Sequence, residues 1–282
     1  YRATDTQTGE TVAVKSLSPD VLARDPELLE RFLREGEALR RLNHPNIVHM
    51  IAACEEAGRH YLVMEYVGGS SLEALLQKER RLPPARTVEI GLDLADALTR
   101  AHRLGIIHRD LKPANILFDS YNNAYLSDFG IAHIAAGTAA LTGEGMVGTP
   151  AYMSPEQARG DKDIQGLSDI YSLGAILFET LTGRQPYEAT TPLAVAVKHM
   201  TEPIPRLAEL NADLPYQCQA VIDTAMAKEP RQRYQTAASL AQELMLIANK
   251  TLKNPPIPEE EPTARMQPPM PRRVQPVSNP PP

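Results

Sequence analysis

The stretch "IIHRDLKPAN", residues 106–115, places an imidazole, a guanidinium, a carboxylate, an ammonium, a proline and an amide directly behind two β-branched apolar residues. An ordinary surface loop mixes charges but has no reason to follow an apolar pair, and proline narrows the backbone conformations of such a loop. "HRD" by itself is also compatible with a charged turn. The stretch raises the question of whether these groups face solvent or a substrate.

A short hairpin is predicted directly after this stretch. The runs "ILF" and "AYLS" are strand-like, and the turn-rich "DSYNN" separates them. Pairing of the two runs brings Asn115, just before the first, next to Asp128, just after the second. An amide oxygen and a carboxylate at one point suit Mg²⁺, which takes hard oxygen ligands and leaves room for water and phosphate oxygens. Either residue alone is also a common turn-former.

The first sixty-odd residues are predicted to be β-rich with one helix. "TVAVK", residues 11–15, alternates with a period of two, which places Ala13 and Lys15 on the same face of a strand. A lone lysine on a strand is usually solvated, so this position alone identifies no site. "NIVHMIAA" and "RHYLVMEYV" indicate two further strands, and a helical pattern begins near residue 25.

The part of the chain after "VGGSS" is predicted to be mainly helical. Gly68 and Gly69 suit a flexible connection between a sheet-bearing part and a helical part, and ligands often bind in the cleft between two such parts. Helical periodicity covers residues 71–78, 85–104, 167–181, 193–200, 216–227 and 236–248.

Composition argues against several classes of protein. The chain has 282 residues, is 43% hydrophobic and carries a formal net charge of -6, so it lacks the basic signature of nucleic-acid or anionic-membrane binding. The two cysteines, Cys54 and Cys218, have no spacing that builds a zinc site, and we expect both to be buried in a reducing compartment. No apolar run reaches the roughly 20 residues of a membrane span. No basic-then-apolar leader opens the chain. We therefore expect a cytoplasmic protein.

Residues 254–282 differ from the rest in composition. They hold 11 of the 25 prolines, together with "EEE" and "RR", and few core-forming residues. Such a composition predicts an extended, disordered tail. A role of "QPPMP" as a polyproline ligand is the less favoured alternative.

Five strings occur in a fixed order along the chain: "VAVK", "HRDLKPAN", "DFG", "GTPAYMSPE" and "SDIYSLG". Each is short, but the five in register are highly specific. Over nearly all of its first 250 residues, the chain resembles the eukaryotic-type serine/threonine protein kinases, and most closely their bacterial members. The resemblance implies an α+β, bilobal fold with a small antiparallel β lobe and one helix (residues 1–67), a larger mainly helical lobe (residues 68–252), and the tail (residues 253–282).

The resemblance implies a phosphotransferase that moves the γ-phosphoryl group of ATP to serine or threonine hydroxyls of proteins, with Mg²⁺ or Mn²⁺ as the metal. Lys15 would hold the α- and β-phosphates, and Glu35 would pair with Lys15. Asp110 would orient the attacking hydroxyl, and Lys112 would neutralise the γ-phosphate during transfer. The metal ligands would be Asn115 and Asp128.

The same resemblance assigns the nucleotide pocket. Ala13 would cover the adenine ring from the strand, and Leu117 is placed with it among the nucleotide-binding residues. The backbone of Glu65 and Val67 would hydrogen-bond the adenine edge, and Met64 would guard the space behind it. These contacts use mostly main chain, so the side-chain identities carry little weight alone.

Regulation and specificity are also implied by the resemblance. Arg109 would bind a phosphate on the segment that follows "DFG", since a phosphate adds about −1.5 to −2 charges and three acceptors. We expect autophosphorylation at Thr142 and Thr138, with self-association of two copies. Lys112 and Thr149 together are associated with transfer to serine or threonine rather than tyrosine.

Four further assignments are structural rather than catalytic. His108 and Phe129 would pack with apolar residues, so His108 is not expected to be a base. The resemblance maps the apolar partners of His108 and Phe129 onto Leu39 and Met50. It also implies a buried pair of Glu156 and Arg233, and Asp169 as the anchor of the catalytic loop.

The alternative class is a catalytically silent, kinase-like scaffold or interaction module. It is suggested by the start of the chain, where "YRATD" resembles the remainder of a second strand and no glycine-rich loop precedes it. Retention of Lys15, Asp110, Asn115 and Asp128 together argues against a degenerated parent. In bacterial relatives such tails often lead to a membrane helix and an outer sensor domain, so the parent is expected to be membrane-anchored beyond the tail.

Overall fold

Four strands form an antiparallel sheet in the first part of the chain. The computed structural model describes residues 1–16, 36–37, 39–129 and 150–253, except the side chains of residues 250–253. Most of the predicted helix of the small lobe and the proline-rich segment 254–282 lie outside these residues. The strands, in the spatial order β1-β2-β4-β3, are β1 (Arg2–Thr4), β2 (Thr11–Ser16), β3 (Met50–Glu56) and β4 (Arg59–Glu65).

Tight turns join β3 to β4 and β1 to β2. β3 and β4 meet through Ala57 and Gly58, both with positive φ (51° and 73°), as a two-residue type I′ hairpin turn requires. Between β1 and β2 the Asp5 carboxylate accepts a hydrogen bond of 2.8 Å from the backbone N–H of Gln7. The alternating pattern of β2 places Ala13 opposite Met64 in the sheet.

The predicted strand over "NIVHMIAA" is split between two partners. Only its second half belongs to β3, which begins at Met50. Its first half bonds to Leu126 instead: the Leu126 N–H donates to the Asn46 carbonyl (2.8 Å), and the Val48 N–H donates to the Leu126 carbonyl (2.9 Å). This segment therefore ties the sheet to the larger lobe, a partner that a period of two does not specify.

The larger lobe is mainly helical, and each of the six predicted helical stretches is a helix. A two-stranded hairpin, β5 (Ile116–Phe118) with β6 (Ala124–Leu126), follows the opening stretch as predicted. Short 3₁₀ turns cover Pro113–Asn115, Pro150–Tyr152 and Pro230–Gln232. The helices are α1 (Leu72–Glu79), α2 (Pro84–Arg103), α3 (Pro155–Arg159), α4 (Leu167–Thr182), α5 (Pro192–Thr201), α6 (Leu207–Leu210), α7 (Tyr216–Ala225) and α8 (Ala237–Lys253).

Local chemistry explains several of the helix ends. The Ser71 hydroxyl accepts from the Ala74 N–H at the start of α1, and Ser154 with Gln157 forms a capping box at the start of α3. Gly160 and Gly183 end α3 and α4 in the left-handed region. α8 runs to Lys253, beyond the predicted end at residue 248, so the first residue of the predicted tail is helical. None of the helices in the described ranges is long and apolar enough to cross a membrane.

Helix α4 is the centre of the larger lobe. All but two of its 16 residues are buried, which is the pattern of a helix surrounded by protein. α7 approaches it closely at Gly174, where an added Cβ would lie 2.8 Å from the Ala225 Cβ. Side chains on α4 therefore contact protein on every face.

A buried ion pair joins α3 to the turn before α8. The two guanidinium NH groups of Arg233 donate to the two carboxylate oxygens of Glu156, each at 2.7 Å, and Ser168 donates to the same carboxylate. Burial by itself raises the pKa of Glu156, but the hydrogen bonds from Arg233 and Ser168 outweigh it, so that the pKa lies below its usual value. The pair matches the predicted contact.

The two cysteines differ in environment. Cys218 is buried on α7, as expected, but the expectation for Cys54 was wrong, because this residue is exposed. Cys54 lies on β3, the last strand in the order of the sheet, where the side chains of its second half face solvent. Both thiols are free.

Gly69 meets a steric requirement at the junction of the two lobes. An added Cβ at Gly69 would lie 2.1 Å from the Phe118 carbonyl oxygen, whereas at Gly68 its nearest neighbour would be a Tyr66 ring carbon at 3.6 Å. The "VGGSS" segment packs against the end of β5, where the Phe118 N–H donates to the Ser70 carbonyl (2.8 Å). Close backbone approach explains the second glycine better than a need for flexibility does.

Gly69→Ala should lower the free energy of unfolding by about 1–3 kcal/mol, because the backbone must shift to admit the methyl group. Urea unfolding measures the loss. Gly68→Ala is the matched control and should cost less, because its Cβ would make only an ordinary contact. Equal losses in the two variants would contradict the steric explanation.

Arg233→Leu should lower the free energy of unfolding by about 3–5 kcal/mol, since it leaves the Glu156 carboxylate buried without its charge partner. The comparison is Arg159→Ala, which removes an exposed ion pair with Asp161 and should cost at most about 1 kcal/mol. Denaturant titrations of both variants test this ordering, and a loss in Arg233→Leu no larger than in Arg159→Ala would refute it.

Candidate active site

A buried carboxylate holds the opening stretch from below. Asp169 on α4 is 0% exposed, and one of its oxygens accepts from the Arg109 N–H (2.9 Å). Its other oxygen accepts from the His108 N–H (2.9 Å) and from His102 Nε2 (2.8 Å). Burial raises the pKa of Asp169, but His102 and His108 outweigh this, so that the pKa is lowered and the group is ionised. The loop therefore rests on a fixed negative charge.

The residue before Asp110 has a strained backbone. Arg109 has a φ of 65°, a region that a long side chain rarely occupies. Asp169 binds its N–H, and the Gln157 amide of α3 donates to its carbonyl (2.7 Å), so both backbone groups of Arg109 are held by side chains. Strain of this kind concentrates at functional sites because the surroundings must enforce it.

The polar groups of the opening stretch converge on one carboxylate. Lys112 Nζ donates to Asp110 Oδ2 at 2.7 Å. The Asn115 amide nitrogen donates to the Asp110 carbonyl (2.8 Å) and to Asp110 Oδ2 (3.2 Å). The Asp110 and Lys112 side chains are 20% and 24% exposed, so they are partly shielded but open to an incoming group.

The β5–β6 hairpin brings Asn115 and Asp128 to the same end of the two strands. Ser127 links them, because both its N–H (2.9 Å) and its hydroxyl (3.0 Å) donate to the Asn115 carbonyl. Asp128 follows with a φ of 60°, which aspartate tolerates better than most residues. The Asn115 amide and the Asp128 carboxylate thus lie at the same end of the hairpin, where the bonds of Ser127 hold the two strand ends together.

Lys15 of β2 contacts Asp128 at this end of the hairpin. Its Nζ lies 2.8 Å from Asp128 Oδ1, and the two side chains are 42% and 31% exposed. An ion pair that is this open to water contributes little to stability. The contact with Asp128 was not predicted, and Glu35, the predicted partner of Lys15, lies outside the described residues.

A cleft of about 480 Å³ opens between the sheet and the larger lobe. All six residues predicted to bind a nucleotide line it, together with Asp128. Val48, Ala114 and Ser127 also line it and were not predicted. Ser127 could have been inferred from its place beside Asp128, whereas Val48 carries no signal in the sequence. The six predicted residues are Ala13, Lys15, Met64, Glu65, Val67 and Leu117.

His108 packs rather than facing the cleft. It is 0% exposed, and its ring lies 4.6 Å from the ring of Phe129, tilted by 46°. Nε2 donates to the Ser127 carbonyl (2.9 Å), and burial lowers the pKa of the imidazole. Leu39 and Met50 line a small second cavity with Phe129. The packing matches the expectation for this histidine.

Four predicted residues cannot be located, since they lie outside the described ranges: Glu35, Thr138, Thr142 and Thr149. Arg109, the predicted phosphate ligand, has an exposed side chain, and no ion pair is described for its guanidinium. The segment in which a phosphate would bind it is likewise not described.

Residues of the site fit a divalent metal. The Asn115 amide uses its nitrogen toward Asp110, so its oxygen remains an available ligand within the described part of the chain. Asp128 supplies a carboxylate next to it, and only one of its oxygens contacts Lys15. One amide oxygen and one carboxylate are a donor set that suits Mg²⁺ when substrate oxygens supply the rest.

Comparisons with known proteins agree with the geometry. The family model described as "Protein kinase domain" matches residues 1–245. The chain is 43% identical over 256 residues to the serine/threonine-protein kinase PknB of Mycobacterium leprae, and the aligned residues cover 88% of the chain and 40% of that protein. A probable serine/threonine-protein kinase of Streptomyces coelicolor is 41% identical over 244 residues, covering 84% and 36%. The chain thus spans well under half the length of these relatives.

Asp169→Asn should destabilise the protein by about 1–3 kcal/mol, because an amide offers one acceptor oxygen where three buried or half-buried donors need two. Urea unfolding at neutral pH measures the loss. The comparison is Asp163→Asn, which alters an exposed carboxylate whose bond within the described ranges is to Gln165 and should change stability little. Because the pKa of Asp169 is lowered, its contribution in the wild type should be present above the ordinary carboxyl pKa and be lost in stronger acid. Similar stabilities of the two variants would contradict the anchoring role.

Proposed function

Since the chain belongs to the protein kinase family, we propose that it transfers the γ-phosphoryl group of ATP to serine and threonine hydroxyls of protein substrates. The observation that carries this proposal is the convergence of Lys112 and Asn115 on Asp110, beside a cleft that contains Lys15 and Asp128. The relatives named above are described as serine/threonine-protein kinases. The silent-scaffold alternative is not favoured by these relatives.

The family uses ATP and a divalent metal in general, and we propose the finer assignments residue by residue. Ala13 and Leu117 enclose the adenine from the two sides of the cleft. The backbone of Glu65 and Val67 binds its edge, and Met64 closes the space behind. Support comes from the lining of the cleft, which includes all five of these residues.

Asn115 and Asp128 would hold Mg²⁺ or Mn²⁺, which supplies positive charge to the phosphate oxygens. Lys15 binds the α- and β-phosphates, and we propose Glu35 as the group that directs it. Lys15 contacts Asp128 across the cleft, so it is already within reach of the region in which the phosphates would lie.

Asp110 accepts the proton of the substrate hydroxyl in the proposed reaction. The hydroxyl oxygen forms a bond to the γ-phosphorus while the bond from that phosphorus to the β–γ bridging oxygen breaks, and ADP leaves with the electron pair. Lys112 balances the negative charge of the moving phosphoryl group. The bonds from Lys112 and Asn115 hold Asp110 in place before substrate binds, so little reorganisation is needed during transfer.

Specificity and regulation are proposed from the sequence. Lys112 with Thr149 favours serine and threonine, and Arg109 receives a phosphate placed on Thr142 or Thr138 by a second copy of the chain. The exposure of the Arg109 side chain supports its availability for such a phosphate. A phosphopeptide map of an active preparation that lacked both sites would remove this part of the proposal.

We propose that the domain works in the cytoplasm. The free Cys54 and Cys218 suit a reducing compartment. Protein substrates are the proposed partners, and no nucleic-acid partner is proposed for a chain with a net charge of -6. Membrane anchorage of a longer parent protein stays a prediction.

Asp110→Asn should lower kcat for phosphorylation of casein by about 10²–10⁴, because the variant loses the proton acceptor. Radiolabelled ATP measures transfer to casein and to the chain itself, for residues 1–282 and for a version extended upstream in the same reading frame. The affinity for Mg·ATP should remain, since Asp110 is not a proposed nucleotide ligand.

Asp161→Asn is the control, because Asp161 is an exposed carboxylate that, among the residues the structure describes, forms a surface ion pair with Arg159. It should transfer phosphate at the wild-type rate. If neither wild-type form transfers phosphate, while Mg·ATP still raises Tm, the hypothesis of a catalytically silent scaffold replaces the proposed function.

A further inference from the structure

A histidine on α5 lies buried behind the turn Pro150–Tyr152. His199 is 0% exposed, although it lies on a helix whose other face exposes Leu193 (61%) and Val197 (41%). Both ring nitrogens are bonded: Nε2 lies 3.0 Å from the Ala151 carbonyl oxygen, and Nδ1 lies 2.9 Å from the Tyr171 hydroxyl. An imidazole that is fully buried and fully bonded has a fixed position and orientation.

The partners of His199 determine its tautomer. A carbonyl oxygen only accepts, so Nε2 carries the proton and donates to Ala151. In the neutral ring Nδ1 is then bare and accepts from the Tyr171 hydroxyl. Burial, with the nearby ammonium of Lys228, lowers the pKa of His199 to about 4, which keeps the ring neutral. Tyr171 therefore keeps the Nε2–H aimed at the Ala151 carbonyl.

Three side chains hold the turn Pro150–Tyr152, and each holds a different atom of it. His199 donates to the Ala151 carbonyl, and the Ser172 hydroxyl donates to the Tyr152 carbonyl (2.7 Å). The Tyr152 hydroxyl donates to Glu179. Ser172 and Glu179 belong to α4, so His199 alone among these three connects the turn to α5.

The turn Pro150–Tyr152 lies in the chain between Thr149, which is proposed to bind the protein substrate, and helix α3, which supports the catalytic loop. Thr149 directly precedes the turn in the chain. Two residues after it, Ser154 caps α3, and Gln157 of the same capping box donates to the Arg109 carbonyl (2.7 Å). A shift of the turn would move the segment that adjoins Thr149 and disturb the support of the residue next to Asp110.

Lys228 is bonded to the helix of His199, and the bonds described for its ammonium do not involve the turn Pro150–Tyr152. Its Nζ donates to the His199 carbonyl (2.8 Å) and to the Tyr187 hydroxyl (2.9 Å), and it lies 4.6 Å from the centre of the Tyr187 ring. The Tyr187 ring meets the His199 ring edge-on at 4.8 Å. Lys228 thus provides a way to weaken the packing around His199 while the bond to Ala151 remains.

We infer that His199 is a positioning residue for the protein substrate: by donating from Nε2 to the Ala151 carbonyl, it fixes the segment that adjoins Thr149 and sets the affinity for protein substrate without contacting ATP. This inference rests on the proposed function. It assigns the role to one hydrogen bond, so that variants can keep or remove that bond selectively.

Two substitutions at His199 test the roles of the two ring nitrogens separately. The amide of His199→Gln can place a donor near the position of Nε2, whereas that of His199→Asn reaches only the position of Nδ1. His199→Asn should raise KM for casein about tenfold, which corresponds to about 1.4 kcal/mol, the upper range for one hydrogen bond. KM for ATP should change by less than about twofold, and His199→Gln should restore KM for casein to within about threefold of the wild type.

Lys228→Met is the matched control for packing. It should lower Tm, because it removes bonds to the His199 carbonyl and to Tyr187, but it should leave KM for casein near the wild-type value. Equal increases in KM for casein in His199→Asn and Lys228→Met, or a parallel increase in KM for ATP, would mean that His199 serves only stability and would overturn the inference.

A measurement without catalysis separates this inference from the proposed function. In ¹⁵N-histidine NMR the wild-type His199 should show a neutral ring protonated at Nε2. Amide hydrogen exchange at Ala151 and Tyr152 should be faster in His199→Asn than in His199→Gln or Lys228→Met. Unchanged exchange in His199→Asn would refute the positioning role even if the chain phosphorylates casein. Absence of wild-type phosphorylation counts against the proposed function and, with it, against the role in substrate affinity.

Discussion

The carboxylate of Asp169 is the contact on which the site depends. The loop of residues 106–115 begins with the apolar pair at residues 106–107 and then adopts a backbone conformation at Arg109 that costs about 1–3 kcal/mol when nothing supports it. Asp169 accepts from two consecutive N–H groups of the loop and so offsets that cost. Since Asp169 is buried and charged, the folded protein cannot leave it without these donors. The loop of residues 106–115 therefore needs Asp169 of α4 for its conformation, and Asp169 needs the N–H groups of the loop.

Helix α4 extends this dependence across the lobe. The same buried helix carries Asp169 beneath the loop of residues 106–115, Ser172 and Glu179 against the turn Pro150–Tyr152, and Tyr171 against His199. Its neighbours pack closely enough that the backbone of α4 has little room to move. The loop that performs the proposed chemistry and the segment proposed to receive protein substrate thus share one rigid support.

Much of the fold could be predicted from local sequence, because hairpins and helix ends are specified by nearby residues. The β5–β6 hairpin followed from two apolar runs and a turn, and α1 begins at a serine cap within its predicted stretch. The exposure of Cys54 could not be predicted, since it depends on which strand lies at the edge of the sheet. His199 gave no signal either, because its partners Tyr171 and Ala151 are 28 and 48 residues away in the chain.

The ion pair between Lys15 and Asp128 affects how the proposed metal and nucleotide would bind, separately or together. Both side chains are partly exposed, so the pair can open at a cost of about 0–1 kcal/mol. At the proposed sites, a metal ion that arrives alone would compete with the ammonium for Asp128, and a phosphate that arrives alone would compete with the carboxylate for Lys15. A metal–nucleotide complex would replace both partners in one event. The ion pair would therefore favour joint binding over the binding of either proposed ligand alone, by no more than the free energy of the pair.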